Sequence, residues 1–138
     1  MFPSKHIIYS FIFCLFLLII LPYGNYLYLL IIFLSSVLID IDHYLLYVYR
    51  NKNLSLIKSW RWHIYLHNNL KESKIPFLHI FHTFEFIFLV FVLSLFYKIF
   101  IWIFIGLIFH VILDLYDMRK RKLYNQREWF LIKALLKR

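Results

Sequence analysis

The chain has little with which to wet a surface. Charged residues make up 17% of its 138 residues and apolar ones 63%, including sixteen Phe and eleven Tyr. A soluble domain is nearer half apolar, so lipid is the expected solvent for most of this sequence. There is one cysteine, Cys14, which excludes an intrachain disulfide. Internal repeats and low-complexity linkers are absent. No run of alternating strands of about ten residues is present, which excludes a transmembrane β-barrel. The segment Ile19 to Asn25 has no small-residue cleavage site, so the first apolar run is expected to be a retained helix, not a signal peptide.

Long apolar runs take the place of all these. Four of them approach the roughly 20 residues of helix that cross a hydrocarbon core, at about residues 6–21, 26–49, 77–97 and 99–116. The first ends at the turn signal Pro22-Tyr23-Gly24-Asn25 and the third follows Pro76. Leu95-Phe96-Tyr97-Lys98-Ile99 has neither Gly nor Pro, yet about 40 continuous apolar residues would cross a bilayer twice, so a hairpin is expected there. The expected fold is all-α: a single membrane domain over residues 1–138, with about four transmembrane helices, a loop at 50–76 containing an interfacial helix, and a short amphipathic basic tail at 119–138. Trp60, Trp62 and Tyr65 in the loop, and Trp129, Phe130, Ile132 and Leu135 in the tail, suit the membrane interface.

Charge predicts orientation. Lys5, six basic residues in the loop and eight from Arg119 onward fall on one side of a four-crossing chain, and Lys98 alone falls on the other. Basic residues favour the cytoplasmic side of short loops, so both termini are expected to be cytoplasmic and the protein integral to the cytoplasmic membrane. The net charge of +9 is expected to meet anionic lipid headgroups at the loop and tail; nucleic acid is not an expected partner.

Polarity inside the spans carries the functional information. The second run holds Asp40, Asp42 and His43, the third His79, His82 and Glu85, the fourth His110 and Asp114, and His6 opens the first. An acidic residue at mid-bilayer costs about 2.5–3.5 kcal/mol, so several of them require neutralisation. Counted at 1.5 Å per residue, Asp40, His43, His82, Glu85, His110 and Asp114 all lie roughly 8–15 Å below the same membrane face. The pairs Asp40/His43, His79/His82 and His110/Asp114 have helical spacing that lets each share a face. Asp40 and Asp42 cannot both face inward on a regular helix: one points elsewhere or the backbone is distorted. Imidazole with carboxylate suits a divalent cation, zinc first, then manganese or iron. The bland alternative is a set of Asp–His hydrogen bonds that joins helices without metal. Candidate metal ligands are His6, Asp40, Asp42, His43, His79, His82, His110 and Asp114; Asp42 and Glu85 are the candidate catalytic carboxylates. Asp117 is expected to pair with Arg119 or Arg121, and His63 and His67 to be interfacial.

In order, His6, Ile39-Asp40-Ile41-Asp42-His43, the pair His79 and His82 followed by Thr83, and His110-Val111-Ile112-Leu113-Asp114 resemble the bacterial and archaeal membrane-bound metal-dependent hydrolases. That family is distantly similar to zinc phospholipase C and the S1/P1 nucleases. Ile39 stands where the family has Pro, no Arg follows His79, and Thr83 stands where the family has Ser. The resemblance implies metal roles for Asp40, Asp42, His43, His82, His110 and Asp114, with His6 as the early histidine. It implies metal-dependent hydrolysis, and the depth of the site, roughly 10 Å below the cytoplasmic headgroups, points to a lipid-related or interfacial ester or phosphoester as substrate. The alternative is a small membrane protein that binds a divalent metal without catalysis, or is purely structural.

Overall fold

The computed structural model describes residues 3–21, 26–69, 79–122 and 128–136. Helix α1 is Pro3–Ile20, α2 Tyr26–Leu38, α3 Ile41–Asn51, α4 Leu56–Asn69, α5 Phe84–Phe96, α6 Lys98–Arg121 and α7 Leu131–Leu136; a 3₁₀ turn at Ile80–His82 precedes α5. The fold is all-α, with no strand among the described residues. Among the described residues three stretches are long and apolar enough to cross a membrane: Pro3–Ile20, Tyr26–Asn51 and Lys98–Arg121.

Two expected spans are modified. The second is broken: Asp40 N bonds to Val37 O at 3.3 Å and His43 N to Asp40 O at 3.0 Å, a tightened turn that separates α2 from α3. The backbone distortion required by Asp40 and Asp42 is therefore present. The third span is shorter than the expected 77–97. Thr83 is extended (φ −77°, ψ 152°) and its hydroxyl caps Phe86 N, which starts α5 only at Phe84. Its 13 residues give about 20 Å of helix, against about 30 Å of hydrocarbon. At the other end Tyr97 is extended (φ −130°), so α5 and α6 form the expected hairpin, closed by Phe91 on Phe104 at 5.4 Å between ring centroids. The turn signal at Pro22–Asn25 and the helix start at Pro76 lie outside the described residues.

Packing centres on α6. Its Gly106 meets Ser35 and the Ile32 carbonyl of α2 so closely that a Cβ would collide with both. Phe13 of α1 stacks on Phe109 at 4.1 Å, and Tyr28 of α2 on Trp102 at 4.6 Å. A small cluster of Ile39, Val90 and Leu107, flanked by Phe81, Phe86 and Phe104, closes α5 against α6. Otherwise the molecule is inverted relative to a soluble protein. Among the described residues ten buried side chains are polar and eight apolar, while Ile19, Phe88, Leu95 and Phe96 are more than half exposed; this is the distribution expected in hydrocarbon solvent.

The polar segments gather at one end of the bundle. Lys52, in the left-handed conformation (φ 50°), ends α3, and α4 turns back so that Trp62 packs on Tyr47 at 5.7 Å. Arg121 at the end of α6 hydrogen-bonds both Nε2 and the carbonyl of His67, and Asp117 lies 3.7 Å from Arg121. The short helix α7 caps α5: Phe84 N donates to Trp129 O at 3.0 Å, and Ile132 N to Glu85 Oε1 at 3.2 Å.

Candidate metal centre

The break in the second span builds the site in two ways. It turns Asp40 and Asp42 toward the bundle axis together, and it takes the Ser36 carbonyl out of the helical ladder, since Asp40 N bonds to Val37 O instead. His110 Nδ1 donates to that carbonyl at 2.6 Å. Ser36 Oγ pairs with Ser10 of α1, so one buried turn ties α1, α2 and α6 together. His82 is aimed by the 3₁₀ turn. Its Nδ1 donates to Asp42 Oδ2 at 2.9 Å, and Phe81 N donates to the same oxygen at 3.1 Å.

These bonds fix the tautomers. A carbonyl and a carboxylate only accept, so in the neutral rings each Nδ1 carries the proton and each Nε2 presents a lone pair. The two Nε2 atoms face each other at 3.0 Å. Asp40 Oδ1 lies 3.5 Å from His110 Nε2 and 3.8 Å from His82 Nε2. Asp114 Oδ2 lies 3.8 and 3.7 Å from the same two atoms. Four acceptors thus converge with no donor among them. His82 and His110 are at most 1% exposed, where crowding lone pairs and carboxylate charge together is costly. A cation relieves this arrangement. Two nitrogens ~2.0–2.1 Å from one ion stand roughly 3.0–3.4 Å apart, so the donor set fits a shared metal. The Asp42–His82 and Ser36–His110 contacts are of the kind that orients imidazoles in metal sites.

Around this centre stand the other candidates. His6 Nε2 contacts Asp114 Oδ1 at 3.1 Å, leaving Oδ2 for the centre, and its ring stacks on His110 at 3.9 Å. His43 Nε2 lies 3.2 Å from Asp40 Oδ1, and His79 Nδ1 lies 3.6 Å from Asp42 Oδ1. Among the described residues four overlapping groups bring their ligand atoms within 4.8 Å of one another: His6/Asp40/His110, Asp40/His43/His82, Asp42/His43/His79 and His82/His110/Asp114. All eight sequence-predicted ligands belong to at least one. The buried His/Asp cluster can hold a metal ion.

Glu85 belongs to none of these groups. Its Oε1 serves Ile132 N, and the extended Thr83 between it and His82 resets the helical phase that put both on one face. Asp42, the other catalytic candidate, uses Oδ2 to orient His82 and Phe81. Asp117 pairs with Arg121 as expected. Two contributors were missed. The Ser36 carbonyl had no signal beyond the small polar pair Ser35-Ser36 inside an apolar run. His63, expected only at the interface, sets its ring edge-on to His43 at 5.2 Å. Its Nδ1 is bonded to Ser59 O at 2.9 Å, and its Nε2 is buried without a hydrogen-bond partner among the described residues. Burial and the nearby His43 lower the His63 pKa to about 4, so it is neutral at pH 7. Comparison with protein-family models, curated proteins and solved structures returned no match.

Proposed function

We propose that the chain is an integral membrane metal-dependent hydrolase, of the kind its ordered His/Asp motifs resemble, acting on a lipid-related or interfacial ester or phosphoester. The carrying observation is the pair of Nε2 atoms of His82 and His110, 3.0 Å apart, with Asp40 Oδ1 and Asp114 Oδ2 each within 3.8 Å of both. Zinc is the first candidate ion, with manganese or iron as alternatives. A bound divalent cation supplies Lewis-acid polarisation and acidifies water toward a pKa of ~7. The residues here have definable tasks: Asp42 and the Ser36 carbonyl hold the imidazole tautomers, His6 orients Asp114, and Asp40 reaches from His110 toward the less buried His43. Because the sequence puts fifteen of its sixteen basic residues on one side of a four-crossing chain, we assign that side, and the site a short depth below it, to the cytoplasm. There the substrate would be a membrane lipid or an interfacial molecule, with the basic loop and tail contacting anionic headgroups.

The test begins with the purified protein and its His110→Ala and Asp114→Ala variants in nanodiscs. Bound zinc, manganese and iron are measured first, then hydrolysis of phosphoester and acyl-ester lipids with and without chelator. Stoichiometric metal with chelator-sensitive turnover, both lost in the variants, is the expected result. A second reading, a divalent-metal binding or transport protein, draws on the broken second span, because helix breaks often line ion sites in transporters. Stoichiometric metal without turnover would favour it. No metal under any loading condition would leave only a structural role for the His/Asp network, with a proton between His82 and His110.

A further inference from the structure

We propose that the chain binds a second divalent cation, held by Asp42, His43 and His79 beside the centre at His82, His110 and Asp114, with the Asp40 carboxylate between the two. This rests on the reading of the first centre as a metal site. The two groups share no residue, and within each the ligand atoms lie inside 4.8 Å of one another.

Three observations carry the assignment. The first is the division of labour on Asp42. Its Oδ2 is occupied by Phe81 N and His82 Nδ1. Its Oδ1, on a side chain 3% exposed, accepts no hydrogen bond among the described residues and stands 3.6 Å from His79 Nδ1. A buried carboxylate oxygen left in this state is expensive unless a positive charge meets it, and the first centre lies on the other oxygen's side. The second is the reach of Asp40: its Oδ1 is 3.2 Å from His43 Nε2 and 3.5 Å from His110 Nε2. A carboxylate between two histidines from opposite groups is the usual bridge in two-metal sites, whose ions sit ~3.5–4 Å apart. The third is charge. Asp40, Asp42 and Asp114 together carry more negative charge than one divalent cation neutralises, in a region where uncompensated charge is penalised.

The two positions differ in access. His110 and His82 are sealed, whereas the His43 side chain is 27% exposed, with α4 and its His63 across it. The second ion is therefore the outer, more exchangeable one, and an incoming anionic oxygen meets it first.

The experiment uses the full chain in nanodiscs, stripped by chelator and titrated with Mn²⁺. Bound metal is counted by mass spectrometry after equilibrium dialysis, and the ions are examined by electron paramagnetic resonance. The parent should take up two Mn²⁺ per chain and give a spin-coupled spectrum. His79→Ala should take up one and give the spectrum of an isolated ion. Saturation of the parent at a single isolated Mn²⁺ would overturn the second site and leave the first intact, and this measurement stands even if the variant does not fold. Two ions retained in a folded His79→Ala would also overturn it. Uptake of no metal by the parent would instead overturn the function proposed above.

Discussion

His82 and His110 reach the centre from different elements, yet each has its Nδ1 proton committed to an acceptor that cannot move without unfolding a turn. That commitment turns their Nε2 lone pairs toward a cluster that can hold a metal ion. Replacing Asp42 by Asn removes the charge that holds the His82 proton on Nδ1. Loss of such an outer partner typically lowers metal affinity about 10–100-fold. Competition against a chromophoric chelator should register that loss in Asp42→Asn, and an affinity equal to the parent's would contradict the orienting role. At this scale much was legible. Depth and helical phase were enough to gather His6, Asp40, Asp42, His43, His79, His82, His110 and Asp114, because buried polarity in an apolar run has few explanations. Glu85 was grouped with them on the assumption that one helix ran from His79 through Glu85. The Thr83 cap breaks that phase. His79 and His82 stay together because a 3₁₀ turn eclipses positions i and i+3. A main-chain ligand-orienting group such as the Ser36 carbonyl has no letter in the sequence and becomes visible only when the ladder is seen to open.

Elements hold the site in place through contacts that tolerate little change. α6 carries His110 one turn after Gly106, where the backbone of α2 is in direct contact. Gly106→Ala would gain about 1 kcal/mol of helix propensity but must push apart two backbones, and overpacking of this kind costs typically 1–3 kcal/mol or more. The expected net result is a lower unfolding temperature in detergent together with weaker metal binding, since His110 and Ser36 sit on the two helices being separated. An unchanged unfolding temperature would mean that the helices are not in contact there. The clasp between α4 and α6 makes a second prediction. Burial, and then Arg121, lower the His67 pKa to about 4, and His63 is lowered to about 4 by burial and His43; free imidazole titrates near 6.5. Between those values the undocked helix binds protons that the docked one refuses. Docking is therefore fully stable above about pH 6.5 and weakens progressively as the pH falls toward about 4. Unfolding temperatures measured at about pH 7 and about pH 5 should differ less in His67→Gln than in the parent, and an identical difference would remove His67 from the linkage. Neither the Gly106 contact nor this clasp followed from periodicity, because both depend on which helices become neighbours.

For the whole molecule, the long apolar runs were enough to point to an all-α fold with membrane-spanning helices, since only helices and closed barrels satisfy the backbone in lipid and no strand alternation is present. What they did not reveal was that one span breaks and another shortens, because a capping Thr83 and a turn at Ile39-Asp40 look no different in composition from the helix around them. Both departures occur at the polar end, where the site is assembled. Among the described residues the same end carries Arg50, Lys52, Arg119, Lys120, Arg121 and Lys122, with Lys98 at the opposite hairpin, and this asymmetry sets the proposed orientation. In a Cys14→Ser background, Lys122→Cys and Lys98→Cys place single thiols at the two ends of α6, whose 24 residues extend about 36 Å and so exceed the hydrocarbon thickness. A membrane-impermeant maleimide applied to intact cells should label the thiol at 98 and leave the thiol at 122 unlabelled until the cells are opened. The reverse pattern would put the His/Asp cluster near the outer face, and the substrate would then have to come from the extracytoplasmic leaflet. Labelling at both positions in intact cells would mean that α6 does not span the membrane, which would remove the depth argument on which the lipid-related substrate rests.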